Sequence, residues 1–127
     1  MSEKLDFYKC EICGTIIQVF HRGDGELVCC GHPMKLLQAK TSEDETGLQE
    51  KHVPMFRENK IIVGSVPHPM TPEHHIEFIE GISDDKKHLS ITFLDNTEPA
   101  EAQLCPENDA SCAIEYCNLH GLWKGAK

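Results

Sequence analysis

Positive charge is scarce in this chain: 12 lysines and arginines face 21 aspartates and glutamates, for a net charge of −9. That balance argues against nucleic acid or an anionic membrane surface as a partner. It leaves room for a small anionic substrate, because one local cation overrides the wider field at short range. Long apolar runs are also missing. The longest, such as Ile61 to Val66, is strand-sized and cannot span a bilayer. The start, Met-Ser-Glu-Lys-Leu-Asp, carries both signs of charge and leads into no apolar targeting segment, so a cytoplasmic location is expected. No amphipathic helix stands out, and there is no internal repeat.

What the chain has instead is cysteine and histidine, seven and eight in 127 residues. In a reducing cytoplasm the cysteines read better as metal ligands or redox groups than as a disulfide framework. Residues 1–38 form a short cysteine-bearing module, with strands expected at Tyr8-Lys9, Ile16 to Phe20 and Glu26-Leu27-Val28 around the turn signal Gly23-Asp24-Gly25. The polar segment 39–50 reads as a linker. Residues 51–127 follow as a second domain. Strands are expected over Lys60 to Val66, His75 to Ile79, Leu89 to Leu94, Ala102 to Leu104 and Ala113 to Cys117, with Gly81 to Asp85 as a separating turn. Short strands with frequent turn signals predict an all-β chain and a small antiparallel sandwich.

Two groups of residues carry chemistry. The first is Cys10-x2-Cys13, followed after fifteen residues by Cys29-Cys30. A Cys-x2-Cys turn presents two sulfurs to one ion, and a hairpin returns a second pair to close a tetrahedron. Gly14 and Gly31 supply permissive backbone just after each pair. Thiolates are soft ligands that select zinc or iron, and a module this small needs metal for much of its folding energy. The directly adjacent Cys29-Cys30 departs from ordinary zinc ribbons and predicts a contorted backbone there.

The second group is His52, His68, His74, His75 and His120, with Cys117. Pro67 and Pro69 stiffen the backbone around His68, and Cys117-x2-His120-Gly121 has the spacing of a metal knuckle. On a strand, His74 would share an inward face with Ile76 and Phe78 and leave His75 at the rim. His21, His32 and His88 lack such contexts and read as solvated side chains.

Together these residues resemble the desulfoferrodoxin family, two-iron superoxide reductases. The resemblance rests on Cys10-Glu11-Ile12-Cys13-Gly14, Gly25 to Cys30, Glu50-Lys51-His52-Val53-Pro54, Gly64 to Met70 with His74 six residues on, and Glu115 to Lys124. It implies a desulforedoxin-like (rubredoxin-like) N-terminal module and an immunoglobulin-like catalytic sandwich. It implies one iron held by Cys10, Cys13, Cys29 and Cys30. A second iron would be held by His52, His68, His74 and His120 in a plane, with Cys117 axial and a sixth position open. The implied reaction is reduction of superoxide by one electron and two protons to hydrogen peroxide, as a detoxification. Lys51 would guide the anion, and Glu50 would be the sixth ligand of the oxidised resting state. A rubredoxin-like electron donor and a homodimer are also implied. The family has an aromatic residue where this chain has His75, and Cys105 and Cys112 match no family ligand; they read as free thiols or as one mutual disulfide.

Overall fold

The computed structural model describes residues 3–43 and 47–127. The chain divides into two compact units, Met1–Gln38 and Ala39–Lys127. In the first, β1 (Phe7–Lys9) pairs antiparallel with β2 (Ile16–Gln18) on one side and β5 (Lys35–Leu36) on the other. A separate hairpin joins β3 (Val28–Cys29) to β4 (His32–Pro33). The third expected strand therefore begins at Val28 rather than Glu26. The two-residue strands β4 and β5 are too short to leave an alternating pattern in the sequence. Phe7, Tyr8, Cys10 and Val19 are the buried apolar side chains of this unit, which is little core for its length.

The second unit opens with one helical turn, α1 (Gln49–His52), followed by β6 (Pro54–Arg57), β7 (Lys60–Val63), β8 (Ile76–Ser83), β9 (Leu89–Phe93), β10 (Glu101–Gln103), β11 (Ala110–Cys117) and β12 (Gly121–Ala126). They form two antiparallel sheets, β10-β7-β6 and β12-β11-β8-β9. Three strands on four is the layer arrangement of an immunoglobulin-like sandwich. Ile61 and Val63 of one sheet meet Ile76, Ile79, Ala113 and Cys117 of the other, with Ala102 and Leu104 completing the core.

Several expected boundaries move, each for a packing reason. The strand from Lys60 stops at Val63, and Gly64 then packs against the α1 turn: a Cβ there would stand 2.6 Å from the Glu50 carbonyl oxygen. Gly81 to Ser83, expected as a turn, continues β8. Gly81 serves close packing, since a Cβ would come within 3.1 Å of Ala110 and 3.2 Å of Ile61. Strand β12 left no clear pattern. The segment 39–50 is not a linker throughout. The Lys40 amide donates to the Leu122 carbonyl at 2.9 Å, its own carbonyl accepts from the Lys124 amide at 2.7 Å, and Gln49 and Glu50 lie in α1. Residues 44–46 of that segment lie outside the described residues.

Candidate metal centres

The four cysteines converge. The sulfurs of Cys10, Cys13, Cys29 and Cys30 all lie within 4.8 Å of one another, with Cys13 to Cys29 at 3.6 Å and Cys29 to Cys30 at 4.0 Å. Sulfurs bound at about 2.3 Å around one tetrahedral ion stand roughly 3.8 Å apart, so the set has the size of a tetrahedral cage. The first knuckle is closed by the Gly14 amide on the Cys10 carbonyl at 2.9 Å and the Cys10 amide on the Thr15 carbonyl at 2.9 Å. Gly14 and Gly31 both have left-handed φ, 84° and 76°. Cys30 itself has φ 53°, the contortion expected where adjacent residues present both sulfurs to one point. Hydrogen bonds from Thr15 hold the Cys13 thiol down to about 6, whereas Cys13 and Cys10 beside it push Cys29 up to about 12. Cys30 is raised for the same reason. Four touching thiols cannot all ionise unless a cation sits among them.

The second group is arranged as a square. Ring centroids of His52 and His68 are 4.6 Å apart, His68 and His74 4.5 Å, His74 and His120 5.0 Å, and His120 and His52 4.7 Å. The diagonal from His52 to His74 is 6.1 Å. The ring nitrogens approach closely: His52 Nε2 is 3.1 Å from His68 Nε2 and 3.1 Å from His120 Nδ1. Two nitrogens bound at about 2.1 Å and at right angles to one ion stand roughly 3.0 Å apart. Cys117 Sγ, 3.8 Å from His120 Nδ1, is the fifth donor.

These contacts cannot be ordinary hydrogen bonds. His52 Nδ1–H donates to the Leu48 carbonyl and His68 Nδ1–H to the Pro69 carbonyl, both at 2.7 Å. In the neutral rings each Nε2 is therefore a bare lone pair, and two lone pairs face each other at 3.1 Å. Protonation does not relieve them, because burial holds His52 and His74 below the usual imidazole range and His68 down to about 4. His74 Nε2 is buried without any hydrogen-bond partner. Burial raises the Cys117 thiol, opposed by the amides of Leu119 and His120. Those amides stand ready to stabilise a thiolate.

Surrounding contacts fix the frame. The Trp123 ring stacks on His52 at 5.0 Å and 24°, and its Nε1 donates to the His120 carbonyl at 3.1 Å. Asn118 clamps the 73–75 segment to the Cys117 knuckle. Its Nδ2 donates to the Glu73 carbonyl at 3.0 Å, its Oδ1 accepts the His75 amide at 2.9 Å, and its own amide donates to the His75 carbonyl at 3.2 Å. Glu115 is fully buried near the knuckle, and burial raises its carboxyl well above the usual range. Trp123, Asn118 and Glu115 carry no role that sequence pattern alone reveals. The one available signal was that the chain's single tryptophan follows His120 by three residues.

His74 rather than His75 joins the cluster, but not by strand alternation. It precedes β8, in a turn where its amide meets the Thr71 carbonyl at 3.2 Å. Nor do Ile76 and Phe78 share a face. Ile76 lies in the core while Phe78 stacks on Tyr116, because the β8–β11 register shifts between Tyr116 and Cys117. The His75 ring turns to the Thr71 carbonyl at 2.9 Å. Glu50 and Lys51 occupy the same helical turn as His52 and are exposed, and the Lys51 charge is among the causes that lower His74. The Glu50 carbonyl accepts from the Val66 amide at 3.1 Å and the Ser65 hydroxyl at 3.2 Å, which seats the loop leading to His68. His21 and His32 are exposed, and His88 pairs with Asp109 at the surface. Cys105 and Cys112 are free thiols, exposed and half-buried respectively.

A family model for the desulfoferrodoxin N-terminal domain matches residues 2–37, and one for desulfoferrodoxin matches residues 44–126. The chain belongs to the desulfoferrodoxin family. It is 45% identical over 128 aligned residues to a desulfoferrodoxin from Nitratidesulfovibrio vulgaris, covering 98% of each chain. A desulforedoxin from Megalodesulfovibrio gigas is 50% identical over 34 residues, covering 27% of this chain and 92% of that one. The crystal structure of a superoxide reductase from Treponema pallidum matches with a TM-score of 0.71 and 26% identity, covering 98% of this chain and 99% of that one. This desulfoferrodoxin-family chain thus carries a four-cysteine group in a desulforedoxin-like module and a four-histidine, one-cysteine group in its sandwich. Two iron centres fit these donor sets. Among the described residues no helix is long and apolar enough to cross a membrane.

Proposed function

We propose that this protein is a superoxide reductase, converting superoxide to hydrogen peroxide by one electron and two protons. The observation that carries this reading is the square of four imidazoles with one thiol donor beside it. His52, His68, His74, His120 and Cys117 hold the catalytic iron, and Cys10, Cys13, Cys29 and Cys30 hold the other. Iron, when bound, supplies the ferrous electron that superoxide takes up. Five protein donors would leave such an iron room for a small anion. A chain with a net charge of −9 repels superoxide at long range, so a local cation has to reverse the field near the site. Lys51 is that cation, and its charge acts on His74. Glu50, its neighbour in the same turn, would offer its carboxylate to that iron in competition with substrate. A small reduced iron–sulfur protein of the rubredoxin type returns the electron. The protein works as a homodimer in the cytoplasm, where thiols stay reduced.

Mixing the reduced protein with superoxide tests the reading. One peroxide per superoxide is expected, without evolution of oxygen. Lys51→Ala should slow the second-order step about tenfold at low ionic strength and flatten its salt dependence. Oxygen evolution at half that peroxide yield would indicate dismutation instead. An unchanged rate at low salt would remove Lys51 from the site.

A further inference from the structure

Lys40 reaches the second centre from the far side of the sequence. Its backbone is pinned on both sides, to Leu122 at 2.9 Å and Lys124 at 2.7 Å, in a bridge with Trp123. Its ammonium donates to the His120 carbonyl at 3.1 Å and lies 5.2 Å from the centre of the Trp123 ring. That ring stacks on His52, and its Nε1 donates to the same His120 carbonyl. One lysine therefore touches the backbone of one ligand residue and the aromatic plane covering another. Among the described residues no carboxylate forms an ion pair with it. The side chain is half-buried, so solvent screens its charge less than that of a surface lysine.

We propose that Lys40 is a fixed positive charge built into the second metal centre, a positioning residue that acts through His120 and Trp123 to favour the ferrous over the ferric ion. The inference rests on the ligand assignment proposed above. A cation held one residue away from the ion disfavours the more positive oxidation state. At an effective dielectric of about 20, the one-electron equilibrium moves by roughly tenfold, or ~59 mV. The bidentate anchoring makes the effect constant, because the charge cannot swing away as that of an exposed lysine does.

Lys40→Met, Lys40→Gln and Lys40→Arg separate charge from packing. Iron content, the visible spectrum and the midpoint potentials of both centres would be measured on the full-length protein. Lys40→Met and Lys40→Gln should keep their iron and lower the second potential by ~59 mV, a tenfold change in the equilibrium. Lys40→Arg should stay near the parent value, and the four-cysteine potential should not move in any variant. An unchanged second potential in Lys40→Gln overturns the proposal, as does an equal fall in Lys40→Arg. Loss of iron from the two neutral variants also overturns it, since a residue that only tunes the potential leaves the ligands in place. If the unsubstituted protein holds no iron at its second centre, the ligand assignment fails, and that result is read separately.

Discussion

Cys117→Ser is expected to cut peroxide formation at least about 100-fold and to abolish the thiolate-to-iron absorption of the second centre, leaving that of the four-cysteine centre intact. Loss of an outer support for a metal ligand already costs about 10–100-fold, and this change removes a ligand. Cys117 is fully buried at the end of β11, in the sandwich core beside Ile76 and Ala113. The Leu119 and His120 amides face its sulfur, so the pocket is shaped for a thiolate. Serine is nearly isosteric, and the buried hydroxyl costs about 1–3 kcal/mol if it finds no partner. A thermal melt beside the kinetics separates that loss from the chemical one. Peroxide formation at the parent rate would show that the fifth donor is dispensable.

Removing the metal from the first unit should unfold it. Its strands are two or three residues long, and its buried apolar side chains are Phe7, Tyr8, Cys10 and Val19. Small metal modules draw about 10–16 kcal/mol of apparent folding energy from the ion. Cys29→Ala should therefore erase amide-exchange protection over the first unit. The sandwich has its own core around Ile61, Ile79 and Ala113 and should keep its protection. Persistent protection of Phe7 and Val19 in the variant would mean that the small core suffices alone.

Parts of the two candidate metal groups were legible in local spacing, and the resemblance supplied the rest. Cys-x2-Cys and Cys-x2-His place donors on single turns, and the prolines flanking His68 hold that ring, whose Nδ1 bonds the carbonyl of Pro69 itself. The sandwich was legible from its longer β-branched strands. What stayed hidden depends on contacts distant in sequence or on exceptions to alternation. Lys40 meets His120 across 80 residues, so no window of sequence contains both. His74 is placed by a turn, and the shift at Tyr116 and Cys117 breaks the period of two on which its strand reading relied. Gly81 resembles a turn signal but is small because Ala110 and Ile61 crowd it.

The most direct test of an open second centre is an azide titration of the oxidised full-length protein, run on the parent and on Glu50→Ala. Glu50→Ala removes the one side chain proposed to compete for the sixth position. Azide should change the second-centre spectrum saturably in both proteins, at lower concentration in Glu50→Ala, while the four-cysteine spectrum stays fixed. No change in the second-centre spectrum of Glu50→Ala at saturating azide would contradict an open position, and inner-sphere reduction of superoxide with it.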